Sequence, residues 1–237
     1  MTRSLSQKVH TSQAGTHPRL EECVVRHLES EWQHLPRTHT VRAFASTEQL
    51  LAGPARELIL DSGCGTGHST RLIAAENPDS WVLGIDQSAA RLATACSGDL
   101  PRREAHIIWV RAELSGFWQL ALEAGWRLRA HYLLYPNPWP KPGHLQRRWH
   151  AHPVFPTMLR LGGYLELRTN WKIYADEFAQ AIEIACGVCA SPSPLRNGRI
   201  STAFERKYQA SGHPLYSVIL PELPTRLTIR PPRCPGA

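Results

Sequence analysis

No stretch of this 237-residue chain approaches the ~18 consecutive apolar residues that a membrane-spanning helix requires. The first twenty residues, MTRSLSQKVHTSQAGTHPRL, also lack the apolar core of a secretory signal. The sequence thus reads as cytoplasmic, with no membrane partner. A disulfide framework is missing too: Cys23, Cys64, Cys96, Cys186, Cys189 and Cys234 are scattered along a chain too long to need staples, so reduced thiols are expected. Cys186 and Cys189 form one C-x-x-C, but no second Cys or His pair stands at zinc-ligand spacing, and no metal is expected. Acids are scarce. Asp plus Glu number 20 against 27 for Lys plus Arg, a formal +7, which favours a polyanionic partner such as nucleic acid. The shortage is sharpest over residues 124–165, where Arg127, Arg129, Lys141, Arg147, Arg148 and Arg160 stand without a single acid.

What is present is ordinary globular material, 42% hydrophobic and 20% charged, which rules out wholesale disorder. Residues 1 to about 17 are polar and read as a mobile arm. Pro18 then opens a helical period with Leu20, Val24, Leu28 and Trp32 on one face. From Glu57 onward short apolar runs (ELILD, WVLGID, HIIWV, HYLLY, YLELRT) alternate with helical patterns, the signature of a doubly wound, Rossmann-like α/β sheet with helices on both faces. A last strand is expected around Leu215 to Leu220, before a tail with Pro221, Pro224, Pro231, Pro232 and Pro235. The chain divides accordingly into an arm and helix (1–50), the sheet domain (51–222) and a Pro-rich tail (223–237).

Residues 57–70, ELILDSGCGTGHST, set Gly63, Gly65 and Gly67 between a strand and a helix, where positive φ and bare backbone let N–H groups approach a ligand. The next strand ends in Asp86, placed to accept from ribose hydroxyls. His68 stands where a pyrophosphate-binding loop needs its third glycine, so a nucleoside ligand without a diphosphate fits better than NAD. Glu113 follows the third strand, equally suited to contact an adenine or to initiate a helix. D-S-G-C-G-T-G resembles motif I of class I S-adenosylmethionine-dependent methyltransferases, in which the leading acid, here Asp61, lies near the methionine end.

The segment HYLLYPNPWPKPGHLQRRWHAHPVF follows the fourth strand, at whose carboxyl end such sheets place their chemistry. Four prolines stiffen it, Tyr135 and Trp139 offer flat faces, and Lys141, His144, Arg147 and Arg148 suit phosphates in the absence of nearby acids. Y-P-N-P-W-P-K-x-x-H-x-x-R-R, then L-G-G-Y-L-E-L-R-T-N-x-x-x-Y, then T-A-F-E-R-K-Y, in that order, resemble the motifs of the tRNA (guanine-N7-)-methyltransferase family over about residues 57–220. The resemblance implies S-adenosylmethionine as cofactor, held by Asp61, Gly63, Gly65, Gly67, Asp86 and Glu113. It implies tRNA or another RNA as substrate, bound by Trp139, Lys141, His144, Arg147, Arg148, Asn170, Thr202 and Glu205. Asn137 stands at the family's catalytic or guanine-binding acid, and Asn170 at a second acid, so this is a divergent member. A carboxylate accepts both donors on the guanine pairing edge, whereas an amide accepts one. The amide between prolines is also reminiscent of the N-P-P-aromatic loop of amino-methylating enzymes. Methylation of another RNA base or a small molecule, or RNA binding without catalysis, are the alternatives.

Overall fold

The computed structural model describes residues 6–32, 34–195, 202–224 and 227. Within them one sheet contains β1 (Leu58–Ser62), β2 (Trp81–Asp86), β3 (Arg102–Glu104), β4 (Ile107–Arg111), β5 (Leu128–Leu134), β6 (Tyr164–Thr169), β7 (Ser193–Pro194) and β8 (Tyr216–Leu220). Their order is β3-β4-β2-β1-β5-β6-β8-β7. Strands β4 through β6 run parallel, while β3, β8 and β7 are antiparallel to their neighbours. All six residues of β2 are buried, because helices cover both faces and leave no polar side for an alternating pattern.

On one face α1 (Leu20–Glu29), α2 (Thr38–Leu50), α5 (Leu114–Glu123), α6 (Phe155–Arg160) and α7 (Lys172–Cys186) enclose a core with Phe44, Phe117, Trp118, Phe155, Tyr174 and Phe178. On the other, α3 (His68–Glu76) and α4 (Ala89–Ala95) close over Ile73, Leu92 and Trp109. A last helix, α8 (Ala203–Ala210), precedes β8. The first fifty residues hold two helices where the apolar pattern announced one. The inner stripe of α2 is Thr40, Ala43, Phe44 and Thr47, helical in spacing but half polar, and Thr47 bonds back to the Ala43 carbonyl at 2.7 Å.

The N-terminal arm also departs from expectation. From Ser6 onward it is fastened by polar contacts, with Ser6 N donating to Ser211 Oγ at 3.0 Å and Thr11 Oγ1 to the Pro140 carbonyl at 2.6 Å. Val9 packs against the core, but most of the arm's hold is through hydrogen bonds, which hydropathy does not register. The Pro-rich tail beyond residue 227, and Cys234 with it, lie outside the described residues.

Strand β1 has β2 on one side and β5 on the other, so the order of strands reverses there. The crevice outside the carboxyl ends of β1 and β5 is the place such a sheet offers a ligand. The glycine loop leaves β1 and the proline loop leaves β5, so both open on that crevice.

Candidate functional site

The glycine loop is tied to β2 at three points. The N–H groups of Gly63 and Cys64 donate to the Ile85 carbonyl at 2.8 and 3.0 Å, and Gly65 N donates to Asp86 Oδ2 at 2.9 Å. The other Asp86 oxygen accepts from Ser88 N at 2.8 Å. Gly63 and Gly65 have φ of 81° and 58°, and a Cβ on either would meet nothing within 4 Å. They front open space. Gly67 is required for another reason: a Cβ there would lie 2.6 Å from Trp109 and Ala95.

Asp61 lies fully buried beneath the loop, its Oδ2 accepting from Ser69 Oγ at 2.7 Å and Thr70 Oγ1 at 2.6 Å. Oδ1 is buried without a protein partner. Burial pushes the Asp61 carboxyl up to about 6 against the pull of the two hydroxyls. A buried carboxylate oxygen with no donor is costly unless something positive or donating completes it. Glu113, by contrast, is spent. It caps α5, accepting from Ser115 N at 2.9 Å and Gly116 N at 2.8 Å, besides the Ser115 hydroxyl. Burial alone would raise its carboxyl, but these donors hold it below the usual range. Glu113 thus initiates α5, one of the two roles its position suits.

The proline loop stands on a buried ion pair. Arg148, expected to face phosphate, is fully buried, with Nη1 2.6 Å from Glu177 of α7. Its Nε and Nη2 donate to the Trp139 carbonyl, both at 3.2 Å, and Nη2 also reaches the Lys141 carbonyl at 3.4 Å. Glu177 further meets His150 Nε2 at 2.9 Å and accepts from Gln13 Nε2 at 2.6 Å and His17 N at 2.9 Å. The acid-free stretch is thus not free of acids in space: Glu177 pairs with Arg148 and Glu57 with Arg129. Arg148 holds the loop and Arg147 covers it, its guanidinium 4.8 Å from the Trp139 ring centre, with His144 edge-on to the same ring at 5.5 Å. Lys141, Arg147 and Asn137 are exposed. Asn137 Oδ1 accepts only a long bond, 3.4 Å, from Trp139 N.

Thr202 caps α8, its Oγ1 accepting from Glu205 N at 2.9 Å. Glu205 docks that helix on the sheet, with Oε2 3.0 Å from Arg168 Nη1 and accepting from the Tyr135 hydroxyl at 3.2 Å. Arg168 also pairs with Glu166 at 2.6 Å. The tie brings Thr202 and Phe204 over the glycine loop, around a cavity of about 120 Å³ that also touches Gly63, Gly65, His68, Arg91 and Leu134. Asn170, at the end of β6, contacts His213 through its amide nitrogen at 3.2 Å.

The glycine cradle on β1, the acid ending β2 and the aromatic loop on β5 all lie within a segment that matches a known family. A family model described as "Putative methyltransferase" matches residues 55–218. The chain belongs to that methyltransferase family. A tRNA (guanine-N(7)-)-methyltransferase of Treponema pallidum (strain Nichols) is 27% identical over 164 residues, 68% of this chain and 65% of the relative's length. One from Chromobacterium violaceum is 28% identical over 176 residues, 70% of this chain and 76% of the relative. Among solved structures, the 16S rRNA methyltransferase KamB superposes with a TM-score of 0.54 at 17% identity, covering 76% of this chain and 94% of that one. That likeness speaks for the fold alone. No helix among the described residues is long and apolar enough to cross a membrane.

Arg168 was not singled out from the sequence, although a signal existed. In Y-L-E-L-R-T, Glu166 and Arg168 sit two apart on a strand and hence on one face, where opposite charges pair. Arg91 and Phe204 carried no such signal, because what assembles them is α8 folding back over the glycine loop.

Proposed function

We propose that this methyltransferase takes its methyl group from S-adenosylmethionine and delivers it to N7 of a guanine in tRNA. The observation that carries the reading is the convergence of the β1 cradle, the β5 loop and the α8 cap on one crevice, in a chain whose motifs and relatives point to that reaction. The cradle fits the cofactor: Gly63 and Gly65 leave room, and Asp61 Oδ1 lacks a partner that an ammonium or sulfonium ligand would supply. The bound cofactor supplies an electrophilic methyl. Guanine N7 offers a lone pair with no proton to remove, so no general base is needed. The work left to the chain is alignment. Asp86 holds the Gly65 amide and would accept from the ribose hydroxyls of the cofactor, while the loop around Asn137 and Trp139 would orient the base.

Three measurements bear on this. Asp86→Ala removes the acceptor of both Gly65 N and Ser88 N, and S-adenosylmethionine affinity is expected to fall by about 1.5–3 kcal/mol, roughly 10- to 150-fold, by calorimetry. An unchanged dissociation constant would take Asp86 out of the cofactor site. Because Arg148 is internal, the phosphate contacts fall to Lys141 and Arg147. Replacing both by Ala is expected to make the salt dependence of tRNA binding shallower by about two counterions, with cofactor affinity untouched. Equal slopes for variant and wild type would assign both to the protein surface alone. Incubation with radiolabelled cofactor and unmodified tRNA, followed by nucleoside analysis, tests the reaction itself. A labelled nucleoside other than 7-methylguanosine would turn the reading to another base, which the exposed amide of Asn137 suits by accepting from an exocyclic amine.

A further inference from the structure

Phe204 is 40% exposed at the mouth of the cavity over the glycine loop. Its helix does not need it there, since α8 is already anchored by the Thr202 cap and by Glu205 on Arg168 and Tyr135. The ring is the outer end of a column. Tyr208 stacks behind it with centroids 6.1 Å apart and planes 24° from parallel, and His213 stacks on Tyr208 at 5.4 Å and 13°. Tyr208 also packs against Tyr135, the first residue of the proline loop, at 5.5 Å, and His213 meets Asn170. The column therefore runs from the open cavity to the part of the crevice where the acceptor is expected.

A cation lies against the exposed ring. The Arg91 guanidinium lies 5.9 Å from its centre, and Arg206 and Lys207 are exposed on the same helix. Among the described residues none of the three takes part in an ion pair. An exposed aromatic face backed by stacked rings and flanked by unneutralised cations is the composition of a site that stacks a nucleic-acid base and tracks its backbone.

We propose that Phe204 is a stacking platform for an unpaired RNA base beside the acceptor nucleotide, with Arg91 on a flanking phosphate. The inference rests on RNA being the substrate. Gly63 and Gly65 of the cofactor cradle line the same cavity as Leu134 of β5, which leads into the acceptor loop, so the ring stands where the two sites meet and cofactor affinity is the readout that tells them apart.

Phe204→Leu keeps an apolar side chain of similar reach and removes the flat face. Phe204→Trp enlarges it. The leucine variant is expected to bind unmodified tRNA about 5- to 140-fold more weakly and to lose a similar factor in kcat/KM, whereas the tryptophan variant matches or exceeds wild type. S-adenosylmethionine affinity by calorimetry should be the same in all three. Equal tRNA binding by the leucine variant would overturn the platform, and so would a matching loss of cofactor affinity, which would place Phe204 in the cofactor pocket. Equal losses in the leucine and tryptophan variants, with melting temperatures unchanged, would also overturn it, since shape rather than stacking would then matter. A wild-type protein that binds tRNA without methylating it would defeat the proposed reaction while leaving the binding comparison able to decide the platform.

Discussion

Replacing Arg148 by methionine is expected to destabilise the protein by about 3–5 kcal/mol in denaturant unfolding, the cost of leaving Glu177 charged, buried and short of its partner. Exposure decides the size of the effect. Both side chains of the pair are 0% exposed, so water cannot replace the lost guanidinium, whereas the surface pair Arg129–Glu57 should be worth under about 1 kcal/mol. The double variant Arg148→Met, Glu177→Met removes both charges and should lose less stability than the single one. Methyl transfer should not recover with it, because the carbonyls of Trp139 and Lys141 still lack the donor that shapes the acceptor loop. A single variant within about 0.5 kcal/mol of wild type would mean that the pair is not the internal support described.

Acid titration reads the same pair independently. Burial by itself would raise the Glu177 carboxyl, but the bonds from His150 and Arg148 more than offset it and hold it at about 2, against 4.5 for a free side chain. The folded state therefore binds that proton less readily than the unfolded chain. Its contribution is complete above about pH 4.5 and is lost as the pH falls toward 2. Arg148→Met should flatten this part of the stability profile.

The sheet was legible because its strands are continuous apolar runs bounded by turn residues, and a buried parallel sheet leaves no other reading for ELILD or WVLGID. The glycine loop was legible because positive φ at Gly63 and Gly65 demands that residue type. What stayed hidden are partnerships set by tertiary approach. Nothing in Q-R-R-W distinguishes Arg147, which lies on Trp139, from Arg148, which turns inward to an acid 29 residues away. Neither does A-E-L-S-G say that Glu113 spends its oxygens on the amides of its own helix. The polar arm announced mobility, since its hold on Pro140 and Glu177 uses hydrogen bonds alone.

Asn137→Asp is expected to raise guanine-N7 transfer to tRNA by roughly 10- to 150-fold, the value of one charge-assisted bond of about 1.5–3 kcal/mol, with cofactor binding unchanged. The loop should tolerate the change, because an Asp oxygen accepts from Trp139 N as the amide oxygen does, and the side chain is exposed. Asn170 is a different case. The Ser6 carbonyl can only accept, so His213 must carry its proton on Nε2, 3.0 Å away, and its Nδ1 must accept from the Asn170 amide. A carboxylate at 170 would face that lone pair. Asn170→Asp should therefore lower activity and combine non-additively with Asn137→Asp. Single-turnover rates with nucleoside analysis test both positions. An Asn137→Asp variant that loses activity on the native substrate and makes no more 7-methylguanosine would show that the amide at 137 is matched to an acceptor other than guanine N7.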